Sequence, residues 1–244
     1  MLEVEILRYC PGKDVKPYFQ KFTVPLEKGV TVLGVLDYIR KNFDESLAYK
    51  IYCTNQHCGE CGVMLNGRPV LACHELITTD QVVLKPLARF PVVKDLVVDA
   101  DSIIRQQCAQ LPALEGTKRN WELLTEDEQQ IFFMAGGCIG CSICQCVCPL
   151  HKEDQEITSG PAYYVALSQH LLRARAKEEM DVILSKAVEH GILKCTACKN
   201  CSGNCPKEID PFKVISVIIE RILKNTNIPV TNPKLLKEIK TSNQ

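Results

Sequence analysis

Twelve of the fifteen cysteines in this chain fall into three groups, and their spacing constrains the fold more than any other feature. The first group is Cys53-x4-Cys58-x2-Cys61, followed by Cys73. The second is Cys138-x2-Cys141-x2-Cys144-x3-Cys148-Pro149. The third, Cys195-x2-Cys198-x2-Cys201-x3-Cys205-Pro206, repeats the second 57 residues later. Cys10, Cys108 and Cys146 stand outside these patterns. The acidic start Met1-Leu2-Glu3-Val4-Glu5 lacks the basic and apolar regions of a secretory signal. A reducing compartment is therefore expected, where clustered cysteines read as metal ligands before disulfides. Basic and acidic residues balance at 29 each, which gives no electrostatic argument for a nucleic-acid or membrane-surface partner. No apolar run reaches the roughly 18 residues of a membrane span.

The first spacing is that of plant-type ferredoxins, which hold a 2Fe–2S cluster on four thiolates, here Cys53, Cys58, Cys61 and Cys73. The second and third have the bacterial ferredoxin spacing. Three close thiolates curl around one cubane, and the x3-Cys-Pro extension carries the fourth to the other cluster. One 4Fe–4S cluster is thus expected on Cys138, Cys141, Cys144 and Cys205. The other is expected on Cys148, Cys195, Cys198 and Cys201. Zinc favours two separated cysteine pairs, and three crowded ligands suit one tetrahedral ion badly. A Rieske centre would replace two cysteines by histidines. All four cysteines of the first group are present, so His57 reads as a loop residue. Cys10, Cys108 and Cys146 read as non-ligands.

Around these motifs the pattern is α+β. Leu2 to Leu7 alternates as a strand, with Gln20–Pro25 as its partner across a turn at Pro11–Asp14. Val32, Val35, Leu36 and Ile39 form a helical stripe. Val63–Val70 is a hairpin around Asn66-Gly67. A sheet gripping one helix predicts a β-grasp domain, with the first cysteine loop between helix and hairpin. Residues 86–99 read as an extended connector bounded by Pro86 and Pro91. From Asp101 onward the pattern is helical. Thr125–Glu128 forms a capping box, Gly136-Gly137 ends that helix, Pro161 suits a first turn, and Gly191 suits a C-cap. Asp210-Pro211 opens an apolar helix from Phe212 to Leu223. The predicted domains are a 2Fe–2S domain with its connector at 1–99, a helical two-cluster domain at 100–224, and a polar tail at 225–244. That tail is expected to be frayed or wrapped on a partner.

Other chemistry is missing from the sequence. There is no G-x-G-x-x-G or P-loop, no G-x-S-x-G and no H-E-x-x-H. His170 and His190 read as surface or structural residues. The chain reads as an electron wire with no substrate site of its own.

Several stretches resemble the iron–sulfur subunit of succinate dehydrogenase and fumarate reductase. They are Cys58-Gly59-Glu60-Cys61-Gly62, Asn66-Gly67-Arg68-Pro69, Leu71-Ala72-Cys73, Phe90-Pro91-Val92-Val93-Lys94-Asp95-Leu96, and Cys205-Pro206-Lys207-Glu208-Ile209-Asp210-Pro211. The resemblance spans Leu2 to about Leu223. It implies a plant-type ferredoxin domain followed by a helical two-cluster domain, and a non-catalytic electron-transfer subunit of an oxidoreductase. It also implies an FAD flavoprotein as partner, with FAD only on that partner. Two departures separate the chain from the quinone-linked members. Those usually lack the cysteine at the Cys198 position and build a 3Fe–4S cluster, which is the alternative for the third motif. They also carry a tryptophan where this chain has Leu150-His151-Lys152, and a histidine where it has Thr196. Members with a four-cysteine third motif pair with cysteine-rich, heterodisulfide-reductase-like subunits, so such a subunit or a membrane-associated one is the expected second partner. The expected location is cytoplasmic, peripheral on the inner face of the membrane through partner subunits. Alternatives are the same relay serving another flavoprotein, a thiol- or heterodisulfide-linked soluble complex, and a free-standing carrier.

Overall fold

The computed structural model describes residues 1–25, 28–100, 124–151, 159–174, 176–225 and 232–241, with single residues between 102 and 111. It divides into two compact units. The first comprises Met1–Asp101 and Ile139–Cys146; the second comprises Ser102–Cys138 and Val147–Gln244.

In the first unit, alternating apolar residues build β1 (Leu2–Arg8), which buries Leu2, Val4 and Ile6. It pairs antiparallel with β2 (Tyr18–Val24) and parallel with β5 (Gln81–Lys85). The hairpin β3 (Gly62–Leu65) and β4 (Arg68–Leu71) turns at Asn66 and Gly67, both left-handed, as a two-residue Asn-Gly turn requires. The five strands run in the order β2-β1-β5-β3-β4. Helix α1 (Val32–Asn42) is capped by Thr31, whose hydroxyl accepts from Gly34 N–H at 3.1 Å. It buries the expected stripe, Val32, Val35, Leu36 and Ile39, and Leu33 beside it. The connector forms a small hairpin, β6 (Val92–Lys94) and β7 (Val97–Val98).

A buried ionic knot fastens that connector. Arg8 Nε donates to Asp95 Oδ1 at 3.0 Å, and its Nη atoms reach Asp44 at 2.6 Å and Ser46 at 3.0 Å. Asp95 accepts further from the N–H groups of Tyr9 at 3.2 Å and Ala48 at 3.0 Å. Both Arg8 and Asp95 are buried, so each needs the partners it has. The knot joins β1, the loop after α1 and the connector, which frames the chain leading into Cys53.

In the second unit, α2 (Glu126–Gly136) opens with the predicted capping box: Glu128 N–H donates to Thr125 Oγ, and Thr125 N–H to the Glu128 carboxylate. Pro161 stands in the first turn of α4 (Pro161–Leu171). Helix α5 (Lys177–Glu189) ends at His190 and left-handed Gly191. Asp210 accepts from Lys213 N–H at 2.9 Å and so starts α7 (Pro211–Asn225), which buries Phe212, Val214, Ile215, Ile218, Ile219 and Ile222. Arg221 on α7 pairs with Glu128 on α2. There are also two single-turn helices, α3 (Ile143–Cys146) in the first unit and α6 (Asn200–Gly203) in the second.

One expectation changes. Within the tail, Pro233–Thr241 forms helix α8 and buries Leu235 and Ile239. Pro233 is its first residue, a position where a missing N–H costs nothing. Cys108 lies outside the described residues.

Removing Asp95 strands the buried Arg8 charge. Asp95→Ala should destabilise the chain by about 3–5 kcal/mol, read from the urea midpoint. Hydrogen bonds from Ser46 and Arg8 hold the Asp44 carboxyl well below the usual carboxylate range. A depressed folded pKa contributes stability above the unfolded value of about 3.9 and loses it as the pH falls. The stability gap between the parent and Asp44→Asn should therefore shrink in acid.

Candidate iron–sulfur sites

The first cysteine loop turns through left-handed residues at Thr54, Gln56 and Gly59. That path aims backbone N–H groups at sulfur. Cys53 Sγ accepts from His57 and Cys58 at 3.3 Å each and from Asn55 at 3.5 Å. Cys73 Sγ accepts from Gln56 at 3.3 Å. The Asn55, His57 and Cys58 N–H groups, Asn55 first, lower the Cys53 thiol to about 7. Cys61 is buried, and desolvation pushes it up to about 12. A free thiol there stays protonated, so metal binding has to displace its proton. The loop thus supplies both thiolate donors and the amide dipoles that compensate their charge.

The second and third motifs share one local backbone. Gly140 and Ser142 are left-handed, at two and four residues after Cys138. Ala197 and Lys199 are left-handed at the same two offsets after Cys195. A one-turn helix starts five residues after the first cysteine in each, α3 at Ile143 and α6 at Asn200. The sequence repeat is therefore also a conformational repeat.

In the second unit, Cys148, Cys195, Cys198 and Cys201 line one small cavity of about 30 Å³, together with Tyr164 and Ile215. This is the full ligand set predicted for one cubane. Among the described residues no three His, Cys, Asp or Glu side chains converge as a single ion would need. Burial raises the Cys195 thiol and pushes Cys201 up to about 12, while Cys198 is exposed. Tyr164 donates to the His190 carbonyl at 2.6 Å, and His190 Nδ1 meets Ser159 Oγ at 2.7 Å. His190 is thus a structural residue beside the cavity wall. Cysteine spacing does not single out Ser159 or Tyr164.

The predicted ligands Cys141 and Cys144 belong to the first unit, whereas Cys138 and Cys205 belong to the second. Within the first unit, Gly59 touches the second motif. A Cβ on Gly59 would lie 2.8 Å from Ile139 O and 2.9 Å from Cys141 Cα. Cys146 is buried, with Sγ 3.6 Å from Met64 Sδ, which is the packing of a small apolar residue. Cys10 sits in a turn, where its N–H donates to Asp14 at 2.6 Å.

Two family models match this arrangement. Residues 3–105 match a 2Fe-2S iron-sulfur cluster binding domain, and residues 134–209 match a 4Fe-4S dicluster domain. The fumarate reductase iron-sulfur subunit of Escherichia coli O6:H1 is 30% identical over 220 residues, covering 88% of this chain and 90% of that relative. The chain belongs to the iron–sulfur subunits of the fumarate reductase and succinate dehydrogenase family. A subunit of the fumarate reductase (CoM/CoB) of Methanothermobacter marburgensis is 32% identical over 210 residues, covering 86% of this chain. This chain spans only 42% of that longer relative. A chain of the Mycobacterium smegmatis Sdh1 complex in the apo form has the same fold, with a TM-score of 0.78 at 24% identity, covering 94% of this chain and 98% of that one. The predicted fold class, a β-grasp plant-type ferredoxin domain followed by a helical two-cluster domain, agrees with these matches.

Gly59 and Gly140 are both left-handed, but a Cβ on Gly140 would meet nothing within 4 Å. Gly140→Ala should cost only the conformational penalty of about 1–2 kcal/mol. Gly59→Ala adds a clash with backbone and should lower the melting temperature more. Cys146→Ala should retain all iron while losing some stability, and a lost cluster would show that the ligand register is wrong.

Proposed function

We propose that this family member relays electrons between an FAD flavoprotein subunit and a further redox partner through one 2Fe–2S and two 4Fe–4S clusters. When bound, such clusters supply one-electron transfer and no bond chemistry on a substrate. Cys53, Cys58, Cys61 and Cys73 would hold the 2Fe–2S cluster. Cys138, Cys141, Cys144 and Cys205 would hold the first cubane, and Cys148, Cys195, Cys198 and Cys201 the second. The observation that carries this reading is the repeated left-handed pattern around two full four-cysteine motifs, with one complete ligand set lining a cavity.

The role of each residue follows from its surroundings. Backbone N–H groups of residues 55–58 compensate thiolate charge at Cys53 and Cys73. Ile215 and Tyr164 would give a cubane held there an apolar wall. Potential depends on hydrogen bonds to sulfur and on solvent exposure, so these neighbours would set it. The flavoprotein partner is supported by membership of a family that includes the fumarate reductase subunit of Escherichia coli. Among the described residues no helix is long and apolar enough to cross a membrane. The reading includes attachment to the inner face of the membrane through partner subunits.

A second reading concerns the distal partner. Cys198 takes its place in the cavity beside Cys195 and Cys201, and the chain resembles a subunit of a fumarate reductase named for CoM and CoB. A thiol or heterodisulfide couple, reached through a cysteine-rich subunit, then replaces the quinone of the relatives that lack this cysteine.

Anaerobically purified protein should carry about ten irons per chain, two from the first group and four from each cubane. Its oxidised EPR spectrum should lack a 3Fe–4S signal. Stoichiometric zinc would reject the cluster reading. About seven irons would reject the count, and a stoichiometric oxidised 3Fe–4S signal would reject Cys198 as a ligand.

A further inference from the structure

The third cysteine loop is gripped from outside by α8. Asn232 Nδ2 donates to the backbone carbonyl of Cys195 at 2.9 Å. The other end of the same amide, Oδ1, accepts from Lys234 N–H at 3.1 Å and Leu235 N–H at 3.2 Å, capping α8. Six residues on, Glu238 pairs with Lys199 Nζ at 2.7 Å. Leu235 and Ile239, one turn apart and both buried, anchor the helix beneath these two contacts. The grips fall on Cys195 and Lys199. Between them lies Cys198, the exposed cysteine of its ligand set. Lys199 is left-handed, as is Ala197 on the other side of Cys198. The path on both sides of Cys198 is thus one that L-residues disfavour, and an external hold keeps such a path populated.

We propose that α8 is a clasp on the third motif, with Asn232 and Glu238 as positioning residues that keep Cys198 on its iron. The inference rests on the four-iron reading above. The step guarded against is attack by dioxygen at the exposed corner. A [4Fe–4S]2+ centre gives up one Fe2+ and one electron, dioxygen takes the electron, and [3Fe–4S]+ remains, so charge and iron balance. The Lys199–Glu238 pair is half-exposed and contributes little on its own. The half-buried Asn232 amide is the stronger hold, because it serves the helix cap and the loop carbonyl together.

The deciding variant is Asn232→Asp. Aspartate caps a helix as well as asparagine does, but it has no N–H to give the Cys195 carbonyl. The full chain, loaded anaerobically, would be exposed to air while the oxidised 3Fe–4S EPR signal and total iron are followed. Asn232→Asp should accumulate the signal severalfold faster than the parent, with one iron lost per signal formed and the same thermal unfolding. Asn232→Ala, which loses the cap as well, should be at least as fast, and Glu238→Gln should show a smaller acceleration. A parental rate in both Asn232 variants would overturn the clasp. Loss of four irons with no 3Fe–4S signal would also overturn it, because Asn232 would then support the whole loop and not one corner. A stoichiometric signal in the anaerobic parent would instead overturn the four-iron reading itself, and the clasp with it.

Discussion

A short loop that carries several cysteines on the same side has to bend its backbone against the handedness that L-residues prefer. Each cysteine loop here does so. Thr54, Gln56, Ser142, Ala197 and Lys199 all take positive φ with side chains attached, at roughly 1–2 kcal/mol apiece. Such geometry survives only where surrounding structure over-determines it. The rest of the fold can be read as that surrounding structure. The Arg8–Asp95 knot fixes the entry to the first loop. Ser202, bonded to Asp210 and to Phe212 N–H, ties the third motif to the start of α7.

The same bend explains the glycines. Gly59 is left-handed and in backbone contact with Ile139 and Cys141, so shape as well as φ excludes a side chain. Gly140 answers to φ alone. Ala197 stands at the equivalent place in the third motif and accepts the strain that Gly140 avoids. The third loop is accordingly the one that carries extra restraint from another helix, through Asn232 and Glu238.

Much of this is legible in the chain. Cysteine spacing marks the two loops that share one left-handed backbone pattern, and capping residues such as Thr125 and Asp210 mark helix starts by a local mechanism. What escapes a sequence reading depends on distant partners. Strand β5 is five residues long and carries only a brief alternation, so the parallel pairing with β1 that makes it a strand leaves no local trace. Helix α8 has just Leu235 and Ile239 to bury, and Pro229 and Pro233 read as breakers, although Pro233 occupies the one helical position that tolerates it. Ser159 and Tyr164 reach the cavity wall through tertiary packing of α4, which no spacing encodes.

The first unit is discontinuous, and this bears on how the chain is made. Ile139–Cys146 packs with Met1–Asp101, against the hairpin that holds Met64 and beside Gly59. A ribosome delivers the β-grasp sheet early, yet its last piece emerges only after 37 further residues, Ser102 to Cys138, have been synthesised. Until then Met64 and the Gly59 backbone lack the neighbours they have in the folded unit. Domains generally fold as they are made, from the N-terminus onward. Here the first unit has to wait, half-built, for a piece of chain that carries cysteines of the second motif. A gene cut at the apparent domain boundary near residue 100 would yield a sheet permanently missing that cover.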